Sequence, residues 1–379
     1  MSYQLTIEPL GATIEVEEGQ TVLEAALRQG IYLPHACGHG LCGTCKVQVC
    51  GGEVDHGAAN PFALMDFERD EGKTLACCCT LQSDVTIEAD IEEEPDARVI
   101  PVRDFAATVS RIEDLTPTIK AIHLQLDKPI SPAPGRPKLG CTPSGGQTEP
   151  GSGVIDFQAG QYIQLEIPGI GQSRAFSIAN APADVQASSS IELNVRKLPG
   201  GAGTTWLHEQ LKPGERLSVA GPYGRFFVRE SAKRPLLFMA GGSGLSSPRS
   251  MITDLLARGC NLPITLVYGQ RSREELYYDA EFRELAAQHP NFTYVPALSH
   301  EPEGSDWTGA RGFVHEAAKA HFGGNFAGRK AYLCGPPPMI EACITTLMQG
   351  RLFERDIYTE KFLSAADAQA TRSPLFQRV

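Results

Sequence analysis

Residues 3–8 (YQLTIE) and 12–17 (ATIEVE) alternate apolar and polar positions on either side of Gly11. That period of two predicts a hairpin with one buried face. VLEAALRQG follows, with apolar positions at helical spacing, Thr21 placed to cap the N-terminus and Gly30 to stop the helix. A cysteine-rich loop comes next, then strands at 46–49 and 85–88, a small β-grasp-like pattern over residues 1–92. The run EEEPD at 92–96 marks a linker, taken to cover 93–102.

From Arg103 the texture changes. FAATVSRIED, TIKAIHLQL, GQYIQLEI, AFSIAN, SIELNVRKL and ERLSVAGPYG are short alternating runs divided by turn signals, which predicts an antiparallel β-barrel over 103–232. Residues 131–153 interrupt it with five Pro, six Gly and three Ser, an exposed insertion that packs no element of its own. Beyond Lys233 strands and helices alternate: PLLFMA, GGSGLSSPRSMITDLLARG, PITLVYG, EELYYDAEFRELAAQ, NFTYVPAL, RGFVHEAAKAHF, KAYLCG and PPPMIEACITTLMQ. Such alternation predicts a doubly wound parallel sheet over 233–379. The fold class is therefore multidomain, α+β and α/β in three units.

A length of 379 residues agrees with that division, and a composition 42% hydrophobic and 21% charged is globular. No apolar run approaches the length of a membrane span, and the first residues show no secretory signal, so a cytoplasmic location without membrane contact is expected. Charge is unevenly spread. Residues 1–96 carry 18 acidic and 4 basic side chains, net −14, while the remainder holds 27 and 30, net +3. The acidic N-terminal part argues against nucleic acid and suits docking to a basic protein surface.

Seven of the eleven cysteines lie between Cys37 and Cys79. In a reducing compartment such a cluster favours metal chemistry over disulfides. The spacing Cys37-x4-Cys42-x2-Cys45, with Cys77 far downstream, is that of a plant-type [2Fe–2S] centre. Three thiolates from one tight loop require backbone close to the cluster, and Gly38, Gly40 and Gly43 supply it. Structural zinc prefers two close ligand pairs, and a Rieske centre needs two histidines; neither fits here. Cys77, Cys78 and Cys79 are contiguous; the segment Thr74-Leu75-Ala76-Cys77 resembles that of plant-type ferredoxins, which selects Cys77.

Two further stretches carry anion-binding chemistry. Arg174-Ala175-Phe176-Ser177 offers a cation, an aromatic ring and a hydroxyl on one strand, and Gly200–Thr205 is a glycine-rich turn opening a helix. Ala240-Gly241-Gly242-Ser243-Gly244 likewise joins a strand to a helix, the setting of a dinucleotide phosphate site, and Cys334-Gly335 ends a later strand.

With these motifs the whole chain resembles reductases that fuse a ferredoxin to a ferredoxin–NAD(P)H reductase-like pair of domains. PHACGHGLCGTCKVQV, NPFALMDFERDE, AGGSGLSSPRSMITDLL, HPNFTYVPAL, AYLCGPPPMI and MQGRLFERDIYTEKF are most similar to the reductase components of multicomponent phenol hydroxylases. The resemblance implies FAD held by Arg174, Phe176, Ser177, Gly203, Thr204 and Thr205, with Phe176 standing where the family commonly has Tyr. It implies nicotinamide dinucleotide at Gly241, Gly242, Ser243, Gly244, Cys334 and Gly335, with Glu360 and Phe362 beside the flavin. It also implies electron flow from NADH through FAD to [2Fe–2S] and on to an oxygenase (hydroxylase) component docked on the acidic ferredoxin. No side chain is expected to act as acid, base or nucleophile, Cys334 included.

Arg271 and Arg273 in the segment Gln270-Arg271-Ser272-Arg273 could meet a 2′-phosphate; the resemblance points instead to NADH. A monomer is expected. Alternatives are a reductase serving a ring-hydroxylating dioxygenase or an alkane or alkene monooxygenase, and, in another class, an iron–sulfur redox sensor.

Overall fold

Edge pairing explains why the chain forms three units. The computed structural model describes residues 2–35, 38, 40–91, 94–129, 153–171 and 173–362; Cys37, Cys141, Glu92, Glu93 and almost all of the 131–153 insertion lie outside them. In the first unit the hairpin Ser2–Glu8 and Ala12–Glu17 is joined, parallel to its first strand, by Val85–Glu88. Lys46–Gly51 and Lys73–Leu75 complete a five-stranded sheet. The helix Val22–Arg28 packs on this sheet through Val22, Leu23, Ala25 and Ala26. Thr21 Oγ1 accepts the Glu24 N–H at 3.2 Å, and Gly30 ends the helix at φ +74°, a conformation that disfavours any residue with a Cβ.

The second unit is a six-stranded antiparallel sheet in the order Ser173–Ser177, Tyr162–Glu166, Arg216–Tyr223, Arg103–Asp114, Ile119–Pro129, Ser190–Arg196. Its outermost strands meet. Ile178 bridges Leu193, and Ala179 N–H donates to Glu192 C=O at 2.8 Å, so the sheet rolls into a barrel filled by Phe105, Ile163, Leu165, Ile191 and Leu193. This junction ties the two edge strands of the sheet together at one end.

The third unit is an all-parallel six-stranded sheet, ordered Ala310–Arg311, Phe292–Leu298, Ile264–Gln270, Leu236–Gly241, Lys330–Gly335, Ile357–Lys361. The chain reverses direction across the sheet between Leu236–Gly241 and Lys330–Gly335, and ligands bind at the carboxyl ends of strands at such a point. The expected helix at 274–288 is shorter, Asp279–Gln288, because Tyr277 and Tyr278 are drawn inward and Tyr278 takes φ +59°. No helix among the described residues is long and apolar enough to cross a membrane.

Polar side chains join the units. Arg28 of the first helix makes a two-pronged bond to Asp104 at the start of the barrel, 2.8 and 3.1 Å. Arg225 stacks on Tyr32 at 4.2 Å, and Arg225 and Arg229 both bind Glu94 of the connecting segment.

Candidate functional site

In the cysteine loop Gly38, Gly40 and Gly43 all have φ between +69° and +75°. A Cβ on Gly40 would lie 2.5 Å from Cys78 Sγ, and one on Gly43 would lie 3.2 Å from Ala63 O, so these two positions have no room for a side chain, whereas Gly38 meets nothing within 4 Å and is set by its positive φ alone. Gly40 N–H donates to Cys77 Sγ at 3.2 Å, the kind of amide bond that stabilises a thiolate ligand. Cys45 and Cys77 are in hydrogen-bond contact, which holds the Cys45 thiol below its ordinary value and pushes that of Cys77 up. Cys79 is fully buried beside Thr74, and burial pushes its thiol up to about 12. Cys42 and Cys77 both lie close enough to act on the Cys45 thiol, Cys78 Sγ lies 3.7 Å from Cys77 Sγ, and Cys79 is buried in the core. Cys37 lies outside the described residues, and among those described no three ligand side chains converge as a single ion would need.

At the mouth of the barrel the helix Ala202–Glu209 begins at Gly201. A Cβ on Gly203 would stand 3.0 Å from Ile167 Cδ1 and 3.7 Å from Arg174 Cγ, so the stem of Arg174 crosses the first turn of this helix. The Arg174 guanidinium donates to Ser173 C=O of its own strand at 3.0 Å, which keeps a cation next to the N-terminus of this helix, a pairing that suits a pyrophosphate. Thr204 Oγ1 is used inside the turn, donating to Gly201 C=O at 3.1 Å and accepting the Leu198 N–H at 3.1 Å.

The switch point is built with the same economy of side chains. A Cβ on Gly244 would stand 2.3 Å from Cys334 O, and one on Gly241 would stand 2.5 Å from Met339 Sδ. Gly242, at φ +61°, lies beneath Arg196 of the barrel, whose Nη1 would be 3.3 Å from its Cβ. Arg196 is a residue the sequence reading missed. Its signal would have been a basic residue ending a barrel strand just before a glycine-rich turn.

Both halves meet at Glu360. Its Oε2 accepts from Ser247 Oγ at 2.6 Å, Ser177 Oγ at 3.3 Å and Cys334 Sγ at 3.4 Å. Burial pushes the carboxyl above its usual range, although the three donors oppose the shift. Burial likewise raises the Cys334 thiol well above normal. Phe362 N–H donates to Gly335 C=O at 3.1 Å, which sets the aromatic ring beside the switch point.

Around this contact lies a second network that sequence reasoning did not find. Arg249 donates to Glu192, Glu281 and Ala179 C=O, and its guanidinium covers the Tyr278 ring at 4.2 Å. Tyr278 OH donates to Glu192, and Tyr277 OH donates to Gly242 C=O at 3.0 Å. The glycine turn is thereby braced through adjacent tyrosines against a barrel strand.

Three family models match this chain: a 2Fe-2S iron-sulfur cluster binding domain over 5–82, an oxidoreductase FAD-binding domain over 147–228 and an oxidoreductase NAD-binding domain over 238–344. The chain belongs to the family of iron–sulfur flavoprotein reductase components of multicomponent monooxygenases. It is 56% identical to the phenol 2-monooxygenase reductase component of Pseudomonas sp. (strain CF600) and 55% identical to the phenol hydroxylase P5 protein of Acinetobacter pittii (strain PHEA-2), each match covering 100% of both chains. Among solved structures, the Amycolatopsis cytochrome P450 reductase GcoB superposes with a TM-score of 0.79 at 34% identity, over 95% of this chain and 98% of the other. A ferredoxin reductase of carbazole 1,9a-dioxygenase gives 0.74 at 26% identity, over 96% of this chain and 99% of the other.

Proposed function

We propose that the chain draws electrons from NADH and delivers them singly to the oxygenase component of a phenol-hydroxylating system. When bound, FAD takes the pair of electrons carried by a reduced nicotinamide and the [2Fe–2S] cluster takes them one at a time, which is the chemistry the cofactors supply. The chain's own residues place and insulate them. Cys37, Cys42, Cys45 and Cys77 hold the cluster. Arg174, the amides at Gly203 and Thr204 and the hydroxyl of Thr205 bind the FAD pyrophosphate, while Phe176 packs on the ring. Gly241–Gly244 and Arg196 hold the dinucleotide phosphates, and Cys334, Gly335 and Phe362 line the nicotinamide side. The working division is ferredoxin 1–92, linker 93–102, flavin barrel 103–232 and nucleotide domain 233–379.

One observation carries the reading. A single carboxylate, Glu360, receives hydrogen bonds from the flavin strand through Ser177 and from the switch point through Ser247 and Cys334. The strand assigned here to the flavin and the turn assigned to the nicotinamide thus share one contact, which supports hydride transfer between them. The oxygenase docks on the acidic ferredoxin, and the identity of both phenol-system relatives favours phenol over alkane or other aromatic substrates.

Anaerobic titration with NADH tests the reading. Flavin and iron–sulfur absorption bands should bleach together, with NADPH a poorer donor. A protein lacking either band, or one NADH leaves coloured, refutes it. Reconstitution with purified phenol, alkane and dioxygenase oxygenase components then identifies the partner.

A further inference from the structure

We infer that the oxygenase docks on an apolar patch at the cysteine loop formed by Leu41, Phe62, Met65 and Phe67, ringed by carboxylates; this rests on the function proposed above. The four side chains are 41%, 74%, 44% and 56% exposed. Large apolar side chains clustered at that exposure mark an interaction surface in a water-soluble protein. The patch is fixed to the cluster loop. Asn60 N–H donates to Gly40 C=O at 3.0 Å, and a Cβ on Gly43 would touch Ala63 O at 3.2 Å, so segment 58–65 lies directly on the turn that presents Cys42 and Cys45.

Another side of the ferredoxin is already covered. Tyr32 lies under Arg225, and Val102 N–H donates to Leu27 C=O at 3.1 Å. The side of the ferredoxin that meets the barrel and the patch are thus different surfaces, so the patch stays open to a partner while the units are in contact. Charge defines the occupant. Asp66 and Asp70 are exposed beside the patch, whereas of the nearby cations Lys46 is held by Glu68 at 2.6 Å and the half-buried Arg69 turns back to donate to Ala59 C=O at 3.4 Å. The fitting partner is an oxygenase surface with a shallow apolar recess rimmed by Lys or Arg. Such a rim sets on-rate and salt dependence, while the buried apolar centre sets affinity.

The test pairs Phe62→Gln/Phe67→Gln with Asp66→Asn/Asp70→Asn and a control, Phe353→Gln, exposed on the nucleotide-binding unit. The probe is the purified oxygenase component of the Pseudomonas phenol 2-monooxygenase. The first variant should raise the KM for oxygenase at least tenfold while NADH-driven ferricyanide reduction and kcat at saturating oxygenase hold. The second should flatten the dependence of KM on salt, and the control should change neither. A KM within twofold of wild type, an equal effect from the control, or sedimentation showing that the patch joins two copies of this chain overturns the inference. Should the double phenylalanine variant lose its iron–sulfur absorption, Met65→Gln takes its place with the same two outcomes. A wild type that reduces ferricyanide but gives nothing to the oxygenase sinks the functional reading, and the docking site with it.

Discussion

Arg196 Nη1 lies 3.3 Å from where a Cβ would sit on Gly242, although the two residues belong to different units. The barrel thus lends a cation to the nucleotide turn. Among the described residues Arg196 makes no ion pair or hydrogen bond that would hold it for a purely structural reason. A charge-assisted hydrogen bond to phosphate is worth about 1.5–3 kcal/mol, which at about 1.4 kcal/mol per decade is about 10–100-fold in affinity. Arg196→Gln should raise the KM for NADH by that factor and leave the flavin spectrum unchanged. Steady-state kinetics at two salt concentrations checks this, and an unaltered KM removes Arg196 from the site.

The three contiguous cysteines make a sharp prediction because their surroundings differ. Cys77 Sγ accepts an amide N–H from the glycine loop, whereas Cys79 is buried beside Thr74. Cys77→Ser should remove the iron–sulfur absorption and keep the flavin. Cys79→Ser should keep both and lower thermal stability, since burying a hydroxyl without a full set of partners costs about 1–3 kcal/mol. Iron analysis with visible spectra decides, and a cluster that survives Cys77→Ser but not Cys78→Ser moves the fourth ligand.

Arg28 and Asp104 form a mostly buried ion pair between the ferredoxin helix and the barrel. Removing one partner of an isolated buried pair costs about 3–5 kcal/mol; here Arg28 keeps the half-exposed Glu24 at 3.0 Å, so the loss is smaller and falls on the contact between the units. Asp104→Asn should loosen the ferredoxin from the reductase. Stopped-flow should then show cluster reduction slowed at least tenfold, with flavin reduction by NADH unchanged. Equal slowing of both phases would mean that the pair only stabilises the fold.

Legibility followed sequence distance. The six barrel strands could be read because period-two alternation is local, and the cysteine loop because three cysteines and three glycines fall within a few residues. Ile357–Lys361 was not read as a strand: it is a short sixth strand whose partner is Lys330–Gly335, so only the assembled sheet defines it. Pro182–Ser188 was hidden as a helix by its small polar residues and its proline at the first turn. The Glu360 contact is half-legible, since Ser177, Cys334 and Glu360 carry assigned places in their motifs, whereas Ser247 lies within AGGSGLSSPRSMITDLL with no role that its position in the chain suggests. Glu192, Arg249 and Tyr278 come from three segments that nothing in the chain's order brings together.

Two buried carboxylates near the domain contact are shifted in opposite directions, which gives each a distinct pH signature. Burial tends to raise Glu192, but Arg249, Tyr278 and Asn194 outweigh it and hold the carboxyl below its ordinary range. The folded state then binds fewer protons than the unfolded chain, so this stabilisation is present above the unfolded value and fades as pH falls through the lowered one. Glu360 is raised by burial, so the folded state keeps its proton to higher pH, and its contribution declines as pH climbs from the ordinary carboxylate range toward the raised value. Glu192→Gln should therefore lower Tm at pH 7 more than at pH 4, because it deletes an ion pair that acid already weakens. Glu360→Gln should do the reverse, gaining most relative to wild type at pH 8 and least at pH 4. Thermal unfolding of both holoprotein variants across that range tests the pair, and parallel pH profiles would show that burial does not dominate at Glu360 while its partners dominate at Glu192.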